Sequence, residues 1–407
     1  MNPAPLQQDH SPRLFAAVGN SVPFILCGLA GFLSAFTVSV GGQLPIGELI
    51  LILVFPWVLI RAYRSHGWPA RIQQLRWYNI LFVTLGLMAI GYVMSDLYRG
   101  NASANFIKGW ARVGFLALDL ISISYLIESS WPRLYVFIFA LYLGATVNVL
   151  FSYQLLEDWW KYGLGYGLTA LVFFVLAGRS SLLQVIVAVA LGALSFALGS
   201  RNLGGICLLT AGLFWLRHAR GILRPIAALI SVGALVAIFI AANEVFLENQ
   251  QHESSNIERQ SMIETAGEAF LSSPLIGQGS WFATSRLMRQ LEDRIASKDP
   301  NFNGYSDEEA NKIQIHSQLL VSLAEGGILG GIFLIGMGVL LLKTLRTLLT
   351  NPMPHRAFLF FFVITSLWNL CMSPLSGMAR VQIILAICMC LLVVLQRQGE
   401  MSDYYKE

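Results

Sequence analysis

The chain has 407 residues, of which 56% are hydrophobic and only 12% are charged. Soluble domains carry about 25% charged residues, so this composition excludes an ordinary soluble domain and indicates a protein that lies mostly in a membrane. The formal net charge of +4 reflects basic residues in short loops. It does not indicate a nucleic-acid-binding surface, and we expect membrane lipids as partners and no nucleic acid.

Twelve apolar windows recur along the chain, although several are shorter than the roughly 20 residues that a straight membrane helix needs. Lipid cannot satisfy exposed backbone polar groups, and the windows are too long for barrel strands. We therefore expect an all-α polytopic membrane protein with about 12 transmembrane helices and one large helical loop outside the membrane. The windows are 21–41, 45–60, 78–95, 111–128, 132–151, 164–178, 181–198, 203–217, 223–241, 319–342, 357–371 and 379–395.

Basic residues in short loops predict the orientation, because such loops stay cytoplasmic. The three most basic loops alternate correctly if both termini are cytoplasmic. The segment 242–315, with 12 acidic and 6 basic residues, then lies outside. We predict a bundle of about nine helices over 1–241, a helical lid over 242–315, and a bundle of about three helices with a short cytoplasmic tail over 316–407. The basic loop residues are Arg61, Arg64, Arg71, Arg76, Arg217, Arg220, Arg224, Lys343, Arg346 and Arg356.

The predicted lid carries clear helix signals in its first half. Ser255 followed by Glu258 is a capping-box pattern, and apolar residues then recur at helical spacing. This helix should end near Ser272. The run Pro274-Leu-Ile-Gly-Gln-Gly-Ser-Trp281 predicts a turn, with glycines where the chain bends tightly or approaches another segment closely.

The second half of the lid predicts two more helices. An amphipathic helix is expected over about 284–296, with Leu287, Met288, Leu291 and Ile295 on an apolar face that rests on the bilayer surface or on the bundle. Ser306 with Glu309 marks a third helix start, and the pattern runs through His316 into the next span. The segment is therefore expected to be folded, since long structureless loops are uncommon.

Three polar residues are predicted to lie at the same outer membrane face: Arg201, Arg259 and His316. Each also has a structural interpretation. Arg201 can extend to the interface as basic residues at helix ends do, Arg259 can be a solvated helix residue, and His316 can be an interfacial histidine. In combination they favour chemistry, because two guanidiniums can grip a diphosphate and a neutral imidazole can take a proton from a sugar hydroxyl.

Ordered motifs around these residues resemble those of a known family. They are Ser200-Arg201 at an outer helix end, Arg259 upstream of Ser273-Pro-Leu-Ile-Gly-Gln-Gly279, and Ile315-His-Ser-Gln-Leu-Leu320 followed by Glu325-Gly-Gly-Ile-Leu-Gly330. Over about 190–335 the chain resembles the O-antigen ligases of the O-antigen ligase and polymerase superfamily. It departs from their pattern at Asn202, where glycine is usual, and at Ser317, where asparagine is common.

The resemblance implies glycan transfer at the periplasmic face of the bacterial inner membrane, with the outer segment as a periplasmic loop. The donor would be an undecaprenyl-diphosphate-linked O-antigen and the acceptor a sugar hydroxyl of the lipid A–core oligosaccharide. By that analogy Arg201 and Arg259 hold the diphosphate, and His316 is the general base. The reaction would need neither metal nor cofactor, since such members are described as independent of metal and ATP.

Other charged residues lie within the predicted spans, where charge is expensive. Asp119 and Arg112 share nearly one helix face, which favours a buried structural pairing with another helix over catalysis. Glu48 and Arg380 lie near the outer ends of their spans and are predicted to line a donor-binding groove. Trp281 fits an interfacial belt better than a sugar platform. All five cysteines fall in apolar windows and predict no zinc or disulfide framework.

Three alternative functions remain open from the sequence. A polymerase of the same superfamily would extend the lipid-linked glycan, and a protein-directed member would transfer it to a protein such as pilin. The protein-directed members tend to be longer, so the ligase is preferred. A transporter of lipid-linked sugars or small molecules would show charges along a pathway at mid-membrane and duplicated halves, and no internal repeat is evident.

Overall fold

The computed structural model describes residues 21–39, 43–64, 71–151, 160–218, 250–281, 285–306, 315–351, 353, 355–375 and 377–397. Within these ranges the regular structure is helical apart from one short β-hairpin. The thirteen α-helices in these ranges match eleven of the twelve predicted apolar windows and two of the three predicted lid helices. They are α1 (Ser21–Leu33), α2 (Ile46–Arg64), α3 (Arg76–Arg99), α4 (Ser103–Ile127), α5 (Trp131–Phe151), α6 (Gly165–Val175), α7 (Ser181–Ala197), α8 (Arg201–His218), α9 (Gln250–Ser272), α10 (Ser285–Lys298), α11 (Gln318–Thr350), α12 (Arg356–Met372) and α13 (Gly377–Arg397).

Several helices can cross a membrane. Five are long and apolar enough by themselves, namely α3, α4, α5, α11 and α13, and five shorter apolar helices accompany them, namely α1, α2, α6, α7 and α12. The chain is therefore a multi-pass membrane protein. The count of about 12 spans stays a prediction, and the predicted span at 223–241 lies outside the described residues.

The first predicted window, 21–41, is not one helix. α1 ends at Leu33, and two short antiparallel strands follow, β1 (Thr37–Ser39) and β2 (Gln43–Pro45). Two of the three residues in β1 are β-branched, and such residues favour strands. The mean hydropathy of the whole window does not reveal this local preference. The all-α prediction is confirmed for the described residues, and this hairpin of two three-residue strands is the exception to it.

The two lid helices share a small core of their own. Met262 of α9 packs with Met288, Leu291 and Ile295 of α10, which are three of the four residues on the predicted apolar face. The fourth, Leu287, packs against the main core of the bundle, so the face covers both α9 and the bundle. Burial of these side chains stabilises the lid by roughly 25 cal/mol per Å² of apolar surface removed from water.

The predicted start of the first lid helix is wrong. α9 is already helical at Gln250, so Ser255 lies inside the helix and the Ser255/Glu258 pattern is not a capping box. The residues before Ser255 include good helix formers, which let the helix continue across the pattern. The predicted end near Ser272 and the predicted helix over about 284–296 are confirmed.

α9 packs alongside α11, and α11 packs closely on α3. Ala266 and Ala269 of α9 belong to the main core, and the backbone of Gly91 on α3 approaches the backbone of α11 near Gly330. Small residues permit such close helix contacts. The lid is thus attached to the bundle through α11. The predicted domain boundary at 241/242 lies outside the described residues, so the division of the chain stays a prediction.

Candidate active site

Arg201 follows a tight turn between α7 and α8. Gly199 adopts a left-handed conformation with φ of 75°, and the N–H of Ser200 donates to the carbonyl of Ser195 at 2.8 Å, which is a Schellman-type helix end. Half-buried Arg201 is then the first residue of α8. A helix N-terminus disfavours a cation and favours an anion, so this position is suited to an arginine that binds an anionic group. Nothing in the structure explains Asn202 in place of the usual glycine.

His316 lies in the turn directly before α11. The helix begins at Gln318, so the predicted continuous helix through His316 is wrong. Ser317 is the N-cap, and its N–H donates to the carbonyl of Ile315 at 2.9 Å. This turn places His316 half-buried at the start of α11. The predicted third lid helix falls largely on 307–314, outside the described residues.

Ser317 explains one departure from the related motif pattern. Its hydroxyl accepts a hydrogen bond from the N–H of Leu320 at 3.2 Å, as an N-cap side chain does. Serine and asparagine are about equally good N-caps. Replacement of the common asparagine by serine therefore preserves the start of α11 and the turn that carries His316.

Arg259 on α9 lies close to both other predicted site residues. Burial and then the charge of Arg259 lower the pKa of Arg201. Burial and then the same charge lower the pKa of His316 from its ordinary value of 6.5, against a smaller opposing effect of Glu258. Such charge effects fade beyond about 10 Å. Arg201 and His316 therefore each lie within electrostatic range of Arg259, and the three residues belong to three different helices or their ends.

Glu258 is fixed beside this group. Its carboxylate oxygen Oε1 accepts a hydrogen bond from the hydroxyl of Tyr305 at 2.6 Å, and Tyr305 packs against the small core of the lid. The acidic neighbour of Arg259 is therefore held in place by the end of the lid that follows α10. Its negative charge raises the pKa of His316, while burial and Arg259 lower it.

A second feature lies below these residues, where α11 is broken. Gly327 has φ of 64° and ψ of −158°, which interrupts the helix nine residues after Gln318. A break frees backbone N–H and C=O groups that a membrane interior cannot satisfy. Other protein groups must therefore bond to the backbone at this point.

Residues 273–281, which we call the docking loop, supply these bonds. The N–H of Gln278 donates to Ala324 O at 2.7 Å, the N–H of Gly279 donates to Glu325 O at 2.9 Å, and the N–H of Ile328 donates to Pro274 O at 2.8 Å. The predicted turn at 274–281 is thus confirmed. The motif Ser273–Gly279 thus pairs through its backbone with the motif Glu325–Gly330 and the residue before it.

This close pairing requires glycine on both sides. A Cβ atom on Gly277, whose φ is 80°, would overlap the carbonyl oxygen of Glu325. A Cβ atom on Gly327 would overlap the carbonyl oxygen of Leu275. Only glycine permits both the backbone conformation and the approach.

The side chain of Glu325 joins the docking loop to the bundle. Its Oε2 accepts from Arg112 Nη1 at 2.6 Å and from the hydroxyl of Tyr92 at 2.8 Å, and its Oε1 accepts from the N–H of Trp281 at 2.8 Å. Arg112 and Glu325 are both buried. The predicted pairing of Arg112 with another helix is confirmed, and removal of one partner of such a buried pair typically costs about 3–5 kcal/mol.

Asp96 at the end of α3 holds the same loop from a second side. Its Oδ1 accepts from the N–H of Ser280 and its Oδ2 from the hydroxyl of Ser280, both at 2.6 Å. Asn101 and Trp110 also donate to this carboxylate, each at 2.8 Å. Nearby, Arg99 Nη2 donates to Gly277 O at 2.8 Å. The loop is therefore anchored by α3, α4 and α11.

Sequence reasoning did not identify these anchors as a group. Asp96 could have been noticed, because it lies in the last turn of α3, where the helix dipole disfavours an acid. Trp281 was predicted in an interfacial belt. Its ring centroid lies 5.3 Å from Lys108 Nζ and 5.0 Å from Arg112 Cζ, and its place in an interfacial belt stays a prediction.

Glu48 and Arg380, predicted to bind the donor, are bonded to each other. Arg380 Nε and Nη2 donate to the two carboxylate oxygens of Glu48 at 2.9 and 2.6 Å, and both side chains are buried. Asp119 is fully buried in electrostatic range of both. The pairing occupies the polar groups that would contact a ligand. A role for the two residues in donor binding stays a prediction.

No group of three or more His, Cys, Asp or Glu side chains suited to a metal ion occurs among the described residues. Residues 164–335 match a family model described as O-antigen ligase. The matched range contains Arg201, Arg259, His316 and Glu325. No curated protein matches the chain.

Proposed function

We propose that the chain is an O-antigen ligase of the bacterial inner membrane, because residues 164–335 match a family model described as O-antigen ligase. It transfers polysaccharide from undecaprenyl diphosphate to the lipid A–core oligosaccharide at the periplasmic face. Both termini are then cytoplasmic, and the lid and its site face the periplasm.

One observation carries the proposal: Arg201 and His316 both lie within electrostatic range of Arg259. Two guanidiniums in mutual range repel each other, and one of them stands at a helix N-terminus, where a cation is disfavoured. A diphosphate relieves both effects, since arginine binds phosphate with two parallel hydrogen bonds. The imidazole beside them has a pKa below its ordinary value, which keeps it neutral and able to accept a proton.

The proposed reaction is a single displacement at the anomeric carbon of the donor glycan. The acceptor sugar hydroxyl gives its proton to His316 while its oxygen bonds to the anomeric carbon. The bond from that carbon to the diphosphate oxygen breaks, and its electron pair leaves with the lipid diphosphate. Arg201 and Arg259 stabilise the charge that develops on the leaving group, so catalysis rests on positioning and electrostatics.

The test separates the possible acceptors. The purified protein in detergent is given lipid-linked O-antigen together with either lipid A–core or further lipid-linked repeat units, and the products are sized. The proposal expects glycan on lipid A–core only. Longer lipid-linked chains would identify a polymerase, and no product with either acceptor while lipid-linked glycan crosses vesicle membranes would identify a transporter.

Arg201→Lys should reduce transfer by about tenfold or more, because a point charge cannot reproduce a bidentate grip. The measurement is the initial rate with purified variant and both substrates. Arg294→Lys is the matched control. Arg294 is a half-buried arginine of the lid helix α10, and its Nη2 bonds to Glu268 at 2.7 Å. Full activity of Arg201→Lys would show that Arg201 only extends to the interface.

Glu258→Gln should shift the acid limb of the rate profile to lower pH. His316 accepts a proton only when neutral, so the rate falls as pH drops through its pKa. Glu258 raises that pKa, and its neutralisation therefore lowers it. The rate is measured against pH for this variant and for Glu268→Gln, an acid on the same helix that pairs with Arg294. A shift of equal size in both variants would contradict a local effect on His316.

A further inference from the structure

The lid and α11 are joined at two levels. At the outer level Arg259 of α9 lies near His316. At the inner level the carbonyl of Pro274, just after α9, accepts from the N–H of Ile328. The later residue of the α9 segment, Pro274, contacts the later residue of α11, Ile328. α9 and the first part of α11 therefore run parallel. The inner contacts therefore determine how far apart the outer ends lie.

We propose that Glu325 is a positioning residue for the transfer reaction, which fixes the separation of Arg259 and His316 by holding the docking loop against the break in α11. The inference rests on the proposed function. It adds that a buried residue away from the proposed reacting groups controls their geometry.

Glu325 is the residue at which the inner contacts meet. Its carboxylate accepts from α4 through Arg112, from α3 through Tyr92 and from the docking loop through Trp281. Its carbonyl accepts from Ser95 Oγ at 2.7 Å and from Gly279 N at 2.9 Å. One residue of α11 thus bonds to two bundle helices and, at two points, to the docking loop.

The backbone of Trp281 indicates that these bonds impose a conformation. Trp281 has φ of 56°, a left-handed value that is uncommon for any residue with a bulky side chain. Such conformations persist only where the surroundings over-determine them. Here the surroundings are the bond from its N–H to Glu325 and the contact of its ring with Arg112.

The length of α9 makes the reaction sensitive to this attachment. From Arg259 to Ser272 the helix extends about 20 Å, so a rotation of about 3° at the docking loop moves Arg259 by about 1 Å. Displacements of about 1 Å can reduce a rate by about 100-fold. A loosened docking loop can therefore impair transfer while the bundle stays folded.

The test uses two paired substitutions that both remove the buried charges. Arg112→Met with Glu325→Met provides unbranched apolar side chains and leaves no lone buried charge, so folding should be retained. It also removes the acceptor for the N–H of Trp281. Arg112→Gln with Glu325→Gln is equally uncharged but keeps an acceptor oxygen at 325.

The main readout is the pKa of His316, obtained from its rate of modification by diethyl pyrocarbonate at different pH values and resolved by peptide mass spectrometry. Diethyl pyrocarbonate reacts with neutral imidazole, so the measurement does not require activity. In the otherwise unchanged protein, Arg259→Gln should raise this pKa, because the nearby positive charge is lost. This response reports the proximity of Arg259 and His316.

In the Arg112→Met/Glu325→Met protein, the methionine pair, we expect Arg259→Gln to raise the pKa of His316 much less than in the otherwise unchanged protein. We also expect the rate of transfer to fall about 100-fold. In the Arg112→Gln/Glu325→Gln protein, the glutamine pair, we expect most of the rise in the His316 pKa on Arg259→Gln to remain. Its rate of transfer should be at least about tenfold higher than that of the methionine pair. A full response in a folded methionine pair overturns the proposal, as does equal loss in both pairs.

If the methionine pair does not insert, Tyr92→Phe with Ser95→Ala replaces it. This variant keeps the ion pair and removes two hydrogen bonds that orient Glu325. A weakened response to Arg259→Gln supports the proposal, and an unchanged response overturns it. Failure of the proposed function is recognised separately, since the unchanged protein would then form no glycan on lipid A–core, whatever the response of the His316 pKa in these variants.

Discussion

His316→Ala should reduce O-antigen transfer by about 1,000-fold, within the range of about 10²–10⁴ that general acid–base groups contribute. The imidazole is neutral at ordinary pH because burial and Arg259 lower its pKa, and alanine offers no group to accept the acceptor proton. In a host that lacks its own ligase, complementation with the variant should leave lipopolysaccharide without O-antigen ladders on a gel.

His355→Ala is the matched control for this result. His355 is also half-buried, and burial also lowers its pKa, but it stacks on Phe174 with centroids 4.9 Å apart at the start of α12. Its replacement should leave transfer within about threefold of the original rate, as for a histidine that only packs. Normal ladders with His316→Ala would refute its role as base, and equal losses in both variants would point to folding.

Gly327→Ala should destabilise the protein by about 3–5 kcal/mol, as the sum of backbone strain and lost hydrogen bonds. Its φ of 64° and ψ of −158° are accessible almost only to glycine. The added Cβ would also overlap the carbonyl of Leu275, which pushes away the docking loop. The measurements are the thermal unfolding midpoint in detergent and the amount of monodisperse protein.

Gly267→Ala provides the comparison for Gly327→Ala. Gly267 lies within α9, and no atom approaches the position of an added Cβ. Alanine is favoured over glycine in a helix interior by about 1 kcal/mol, so this variant should be as stable as the original protein or slightly more stable. If Gly327→Ala unfolds at the same temperature as Gly267→Ala, the break in α11 is not needed for folding.

Part of the site was predictable because its signals are local. The Pro274–Trp281 turn follows from glycine and proline, and the apolar face of α10 follows from helical spacing. The same local reasoning failed at Ser255, where a capping pattern lies inside a longer helix. The predicted continuous helix through His316 was also wrong, because Ser317 is the N-cap of α11 and the helix begins only at Gln318.

Long-range pairings could not be read from spacing. Glu325 bonds to Tyr92 and Arg112, which are 233 and 213 residues away in the chain. Glu48 bonds to Arg380, which is 332 residues away. The sequence placed each of these charges near an outer helix end or within a span, but any of several partners was compatible with that position.

Composition and local pattern are sufficient to predict a helical membrane protein, the approximate position of most helices, and the motifs that contain Arg201, Arg259 and His316. These properties depend on composition and on periodicity within single segments, where the solvent and the backbone impose the pattern. Only the tertiary structure decided that α11 breaks at Gly327 and that the docking loop satisfies the break through Glu325. A broken membrane helix is stable only when distant segments bond to its freed backbone groups, and those segments are adjacent in space rather than in the chain.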